Sequence, residues 1–219
     1  MEYILRQNYH REELYAYLLL KDVLFQDRVA LIGDDGTHGV PDLSTMDRKV
    51  CCEVTVSETM SVFDVIRKMF LGPIEKPEID KLKLANVKYV NIKPAHIQPA
   101  EYKLDKVGLS SEEKEEYLKH FEYILRKKII KLNKGTYRKS EKTFLIVLSD
   151  FKQKNNIHLS EIQAIYKNTV NNYRKKFDGV FVTLNNQLFL FNPEGDFKLI
   201  KNQQELLKKK NEFKKKILT

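Results

Sequence analysis

An α/β fold, with a mixed sheet flanked by helices, is the class this sequence predicts. Three observations carry that expectation. Some stretches repeat apolar residues every three or four positions, as amphipathic helices do, while others alternate or run continuously apolar over strand-length windows. The two kinds are interleaved along the chain instead of gathering into separate halves. A hydrophobic share of 42%, with 12 Phe and 11 Tyr, can fill one core over 219 residues, a length short for two.

Between His10 and Gln26, the residues Leu14, Tyr17, Leu18, Leu20 and Leu24 mark one face of a first helix. Glu12 and Glu13 lie in its opening turn, where carboxylates suit the positive helix end. Residues 28–33 predict a short strand, closed by the turn-rich stretch 34–39. Residues 40–44 and 50–56 predict two further strands about the polar turn 45–49, most simply a hairpin. Helix-start residues at 57–61, then Val62, Val65, Ile66, Met69 and Phe70, predict a second helix that stops near Gly72-Pro73. The charged stretch 74–84, with Pro77, reads as a loop or a broken helix, 87–92 as a strand and 93–109 as irregular.

Ser110 or Ser111 can cap the longest helix. Its apolar residues Tyr117, Phe121, Ile124, Leu125, Ile129 and Leu132 lead to a stop at Gly135, and Arg126, Lys127, Lys128 and Lys131 are expected on its exposed face. Residues 144–148 form the most apolar strand, with the β-branched content of a buried central one. A helix over 160–176 and strands over 179–183 and 187–191, turning at Asn185-Asn186, complete the expected sheet. One folded domain is thus expected over 1–200. Beyond it, 201–219 reads as a basic helix or tail carrying Lys208 to Lys210 and Lys214 to Lys216, a solvated face or a nucleic-acid contact.

Composition narrows the partners. The 39 Lys+Arg against 30 Asp+Glu leave a formal charge of +9, which draws polyanions by attraction and counterion release, although Lys-rich surfaces are also simply solvated. No run of about 18 apolar residues occurs, and the first residues lack the basic-then-apolar order of a secretion signal, so a cytoplasmic protein without a membrane partner is expected. Cys51 and Cys52 are adjacent in a strand-like run, where their side chains point to opposite faces. They are expected to be packing residues, neither a disulfide nor a zinc site.

One stretch carries chemistry. Asp42 and Glu53 fall on neighbouring predicted strands, and antiparallel neighbours can set two carboxylates side by side on one face. With a backbone carbonyl and water they would offer the hard oxygen ligands that Mg²⁺ or Mn²⁺ prefers. A carboxylate amid Val50, Cys51, Cys52, Val54 and Val56 is also costly to bury unless it is paired or metal-bound.

Through Pro41-Asp42 and Glu53-Val-Thr55, preceded by an acidic helix and followed by another, the sequence resembles the PD-(D/E)xK nuclease superfamily, the restriction-endonuclease-like fold. The resemblance spans roughly the first 95 residues and implies an αβββαβ core with later additions. It implies Asp42 and Glu53 as ligands of Mg²⁺ (or Mn²⁺), with Glu13, or its neighbour Glu12, as the auxiliary helix carboxylate. It also implies DNA, more than RNA, as substrate, and a homodimer is compatible with cutting both strands. At the third position, where the family has Lys, this chain has Thr55. Thr55 serves in a variant site, or a lysine reaches in from elsewhere, or catalysis has been lost. Lys49 shares the strand parity of Glu53 but stands about 13 Å away, so Lys68 and Arg67 on the following helix are the better suppliers. Without turnover, the same fold would be a module that binds nucleic acid or a partner protein.

Other groups are less specific. Lys131, Lys134, Tyr137 and Arg138 at the end of the long helix could grip a nucleic-acid backbone, or be a plain basic helix terminus. His38 precedes the Gly39-Val-Pro-Asp42 stretch and reads first as a loop residue. His10, His96, His120 and His158 show no ligand spacing.

Overall fold

Parallel strands need a crossover and antiparallel ones only a turn, and the order of elements follows from that rule. The computed structural model describes residues 3–6, 9–26, 28–33, 39–57, 109, 111–137, 140–149 and 156–218. Among them, eight strands make one mixed sheet in which each strand lies beside its neighbours in sequence: β1 (Tyr3–Leu5), β2 (Ala30–Ile32), β3 (Leu43–Thr45), β4 (Val50–Val56), β5 (Lys142–Leu148), β6 (Gly179–Leu184), β7 (Gln187–Phe191) and β8 (Phe197–Lys201). The β1/β2, β4/β5 and β5/β6 pairs are parallel and the other four antiparallel. α1 (Arg11–Leu20), prolonged by a π-helical turn (Lys21–Phe25), crosses from β1 to β2. α2 (Ser111–Asn133) precedes β5, α3 (Leu159–Val170) joins β5 to β6, and α4 (Gln203–Leu218) follows β8.

Strand alternation divides the core into two layers. Cys52, Val54, Phe144, Ile146, Leu148 and Phe181 pack against α1 and against Leu206 of α4. Leu145, Val147, Val180, Val182 and Phe189 pack against α2 and α3. Residues Phe144 to Leu148 are therefore buried on both faces, the environment that a continuous apolar run anticipates. A hydroxyl cluster ties the far ends of β4 and β5 to α2. Ser57 Oγ lies 2.5 Å from Ser149 Oγ, which also bonds the Tyr117 hydroxyl, and Thr183 Oγ1 accepts from the Ser149 N–H at 2.7 Å.

The predicted hairpin forms, with Leu43 opposite Cys52 and Ser44 opposite Cys51. Its first strand starts at Leu43, since the Val54 N–H is taken by the Asp42 side chain and not by the backbone before it. The β6–β7 turn is built from Asn185 and Asn186, both at positive φ (51° and 60°), the twist that a two-residue hairpin loop requires. Cys51 and Cys52 are free and buried. The helix expected over 160–176 stops at Val170, where Asn172 Nδ2 donates back to the Asn168 carbonyl at 2.8 Å and the amide competes with helix propagation. Two edge strands, β1 and β8, lie beyond what the sequence pattern predicts: β1 has three residues, and the alternating Phe197–Lys201 segment leaves most of its side chains exposed. Among the described residues no helix is long and apolar enough to cross a membrane. The predicted helix after Ser57, the stretch 74–84 and the strand at 87–92 lie outside the described residues.

The basic segment 203–218 is a helix that packs on α1, with Tyr15 and Phe213 rings 5.3 Å apart and Lys209 Nζ 3.0 Å from Asp22. Neighbouring leucines test its anchoring. Leu206 is fully buried and Leu207 is 56% exposed. Leu206→Ala is expected to cost about 2–5 kcal/mol in urea unfolding, and Leu207→Ala to stay within about 0.5 kcal/mol of the parent.

Candidate functional site: a carboxylate pair and its lysine

Asp42 is held from both ends. Its carbonyl accepts the Gly33 N–H at 2.8 Å, and its Oδ2 accepts the Val54 N–H at 2.7 Å, replacing the bond a longer β3 would make. Gly33 has φ +99°, and a Cβ there would lie 2.6 Å from the Tyr9 Cβ, so the close approach that anchors Asp42 needs glycine. Asp42 precedes Leu43, the partner of Cys52, and Glu53 follows Cys52, so the alternation of the strands brings the two carboxylates near one another, and the charge of Glu53 reaches Asp42. The two carboxylates thus share the sheet face covered by α2.

Burial pushes the Asp42 carboxyl up to about 7, and the charges of Glu53 and, more weakly, Glu13 add to the rise, while the Val54 N–H and the Lys128 ammonium oppose it. Lys128, from the last third of α2, supplies the countercharge. Its Nζ donates to Glu53 Oε1 at 2.6 Å and to the Val54 carbonyl at 3.4 Å, and the two side chains are only 15% and 9% exposed. Lys128 therefore does not lie on the open basic face where the sequence placed it. Helical spacing explains the difference: Lys128 stands three residues after Leu125, four after Ile124 and seven after Phe121, on the apolar stripe that faces the sheet. Reading that stripe through the lysine would have found it.

The other expected residues distribute unevenly. Glu13 is buried, its Oε2 accepts the His10 N–H at 2.7 Å in a capping interaction, and its charge reaches Asp42. Glu12 Oε2 is buried without a hydrogen-bond partner among the described residues. Thr55, half-buried, follows Glu53 by two positions on the same face of β4. Tyr137 belongs with the carboxylates as much as with the surface: burial, then the charges of Glu53 and Asp42 and the approach of its hydroxyl to Glu53, raise its pKa. Lys131 is half-buried and Lys134 exposed at the end of α2. Lys49 pairs with Glu141 at 3.3 Å on the surface. Lys68, Arg67, Arg138 and His38 lie outside the described residues.

Among the described residues no three His, Cys, Asp or Glu side chains converge as a ligand set. A divalent ion here would rest on Asp42, Glu53 and the Val54 carbonyl, with water completing its shell. These residues fit such an ion in one observable respect: a cation, the Lys128 ammonium, already contacts both Glu53 Oε1 and the Val54 carbonyl. All three donors are hard oxygens, the type Mg²⁺ and Mn²⁺ take. Compared with known proteins, the chain matches no family model, no curated protein and no solved structure.

The buried charges make two stability predictions. Because the folded value of Asp42 lies above the ordinary 3.8, its native state binds the proton more tightly than the unfolded chain. That contribution is complete below about pH 4 and is lost as pH rises towards 7. Asp42→Asn keeps an acceptor for Val54 and removes the loss, so in chelator at pH 8 it should unfold about 2–4 kcal/mol later than the parent, with the gap closing near pH 4. Equal stability at both pH values would refute the account. Lys128→Met should cost about 3–5 kcal/mol by stranding the Glu53 charge, and adding Glu53→Gln should recover most of it in a double-mutant cycle.

Proposed function

We propose that this chain is a metal-dependent phosphodiesterase of the PD-(D/E)xK type that hydrolyses DNA. The observation that carries the reading is the two carboxylates Asp42 and Glu53, close enough for the charge of one to raise the pKa of the other, with Lys128 Nζ 2.6 Å from Glu53. Two further features support it. The order α1, β2, β3, β4, with β3 antiparallel to both neighbours, agrees with the αβββ part of the core that the resemblance implies; the helix and strand expected to complete it lie outside the described residues. Glu13 on the preceding helix is also within electrostatic reach of Asp42.

Asp42, Glu53 and the Val54 carbonyl would hold Mg²⁺ or Mn²⁺, which when bound lowers the pKa of an attacking water and offsets charge on the phosphate. The protein's own groups do the remainder. Asp42, anchored by Gly33 and Val54, keeps its carboxylate fixed against β4. Lys128 brings the ammonium that position 55 lacks, close enough to stabilise negative charge developing on the phosphate oxygens. The Thr55 hydroxyl, on the same face, can orient a water but adds no charge. The net charge of +9 favours a polyanionic substrate.

A second reading has its own support. The Lys128 ammonium already neutralises Glu53, which is what a nuclease fold kept for binding and no longer turning over would retain. Cleavage of supercoiled and single-stranded DNA separates the two. The parent is expected to cut with Mn²⁺ and not with chelator, Glu53→Gln to lose at least about 100-fold, and Lys128→Met a similar factor. No cleavage of any DNA or RNA by a parent that binds the ion would end the enzymatic reading. Binding that persists in Asp42→Ala and in chelator would then favour the module.

A further inference from the structure

Outside the carboxylate site, α2 carries a second group of side chains without an assigned task. His120, Tyr123, Lys127, Lys131 and Lys134 succeed one another at three- and four-residue steps and so form one stripe along the helix and its end. Tyr123 is 58% exposed. The His120 ring stacks beside it, with centroids 6.2 Å apart and planes 27° from parallel, and the Lys127 ammonium lies 6.0 Å from its centroid.

Charge along α2 is graded. Its first turns hold Glu112, Glu113, Glu115 and Glu116, whereas from Arg126 to Asn133 every ionisable residue is basic. Lys119, Arg126 and Lys128 are paired with Glu115, Glu122 and Glu53. Lys127, Lys131 and Lys134 have no carboxylate partner among the described residues. The negative end of the helix dipole accounts for lysines in the last turn, but it does not account for a tyrosine ring exposed to water two turns earlier.

We propose that this stripe is a platform for single-stranded nucleic acid, in which an unpaired base stacks on Tyr123 while Lys127, Lys131 and Lys134 take the phosphates. An open aromatic face needs a base whose own face is free, which a duplex does not offer, and cations beside it meet the backbone without reading sequence. Tyr123 stands about 7.5 Å along the helix axis from Lys128, about two nucleotides at a stacked rise of about 3.4 Å. The platform deepens the phosphodiesterase reading, and rests on it for the claim that the bound strand is the substrate.

Anisotropy of a labelled oligothymidylate of about 16 nucleotides, titrated in chelator at low salt beside a duplex of the same length, tests it. Tyr123→Ala should weaken single-strand binding roughly 5- to 100-fold and Tyr123→Phe about twofold or less. The triple change of Lys127, Lys131 and Lys134 to Ala should flatten the log–log salt slope by about 2. An unchanged affinity in Tyr123→Ala, tighter binding to duplex than to the strand, or no binding by the parent would overturn the proposal. Cleavage abolished by Glu53→Gln with strand affinity indifferent to Tyr123 would remove the platform and leave the nuclease. Tyr123-dependent binding without any cleavage would do the reverse.

Discussion

The contact between Glu53 and Lys128 is the constraint on which the site depends. A carboxylate in the middle of β4, on a face packed by α2, would be intolerable alone. The ammonium reaches it from α2, contacting the side chain and the next backbone carbonyl. Residues 75 positions apart in sequence are thereby joined, and the same contact fixes the rotation of α2 against the sheet. The Tyr117–Ser149–Ser57 cluster fixes its other end.

Around that pair the fold keeps a second carboxylate under electrostatic stress. Asp42 could have been spared by peeling away from the sheet, yet Gly33 and Val54 hold it in place. Its raised pKa is the consequence: burial and the neighbouring Glu53 both resist ionisation. A group held where it destabilises the native state is characteristic of sites that give up stability for function. A hard dication would relieve the strain that one ammonium relieves only in part.

The geometry of α2 links this interior to the surface. One side of the helix sends Lys128 inward, and the adjacent side presents Tyr123 and Lys127 to water. On the proposed reading, binding along the outer stripe and chemistry at the inner pair are served by one rigid element, braced in its first third by hydroxyls and in its last third by an ion pair. Rigid helices place such groups more accurately than loops do.

Much of this was legible in the sequence, and the limits are physical. Period and composition determined the α/β class, the hairpin from β3 to β4, the buried run of β5 and the Asn185-Asn186 turn, because these depend on residues near one another in the chain. The same hairpin logic puts Asp42 near Glu53, and in the fold the charge of Glu53 reaches it. The edge strands β1 and β8 escaped because little of their surface is buried and the pattern that burial imposes is faint. Lys128 escaped for a different reason. A lysine is read as solvated until something buried demands its charge, and that demand comes from Glu53 on a distant strand. Only the packing of α2 across β4 decided that this lysine, among several on one helix, would turn inward, because electrostatic pairing depends on distance in space and not on separation along the chain.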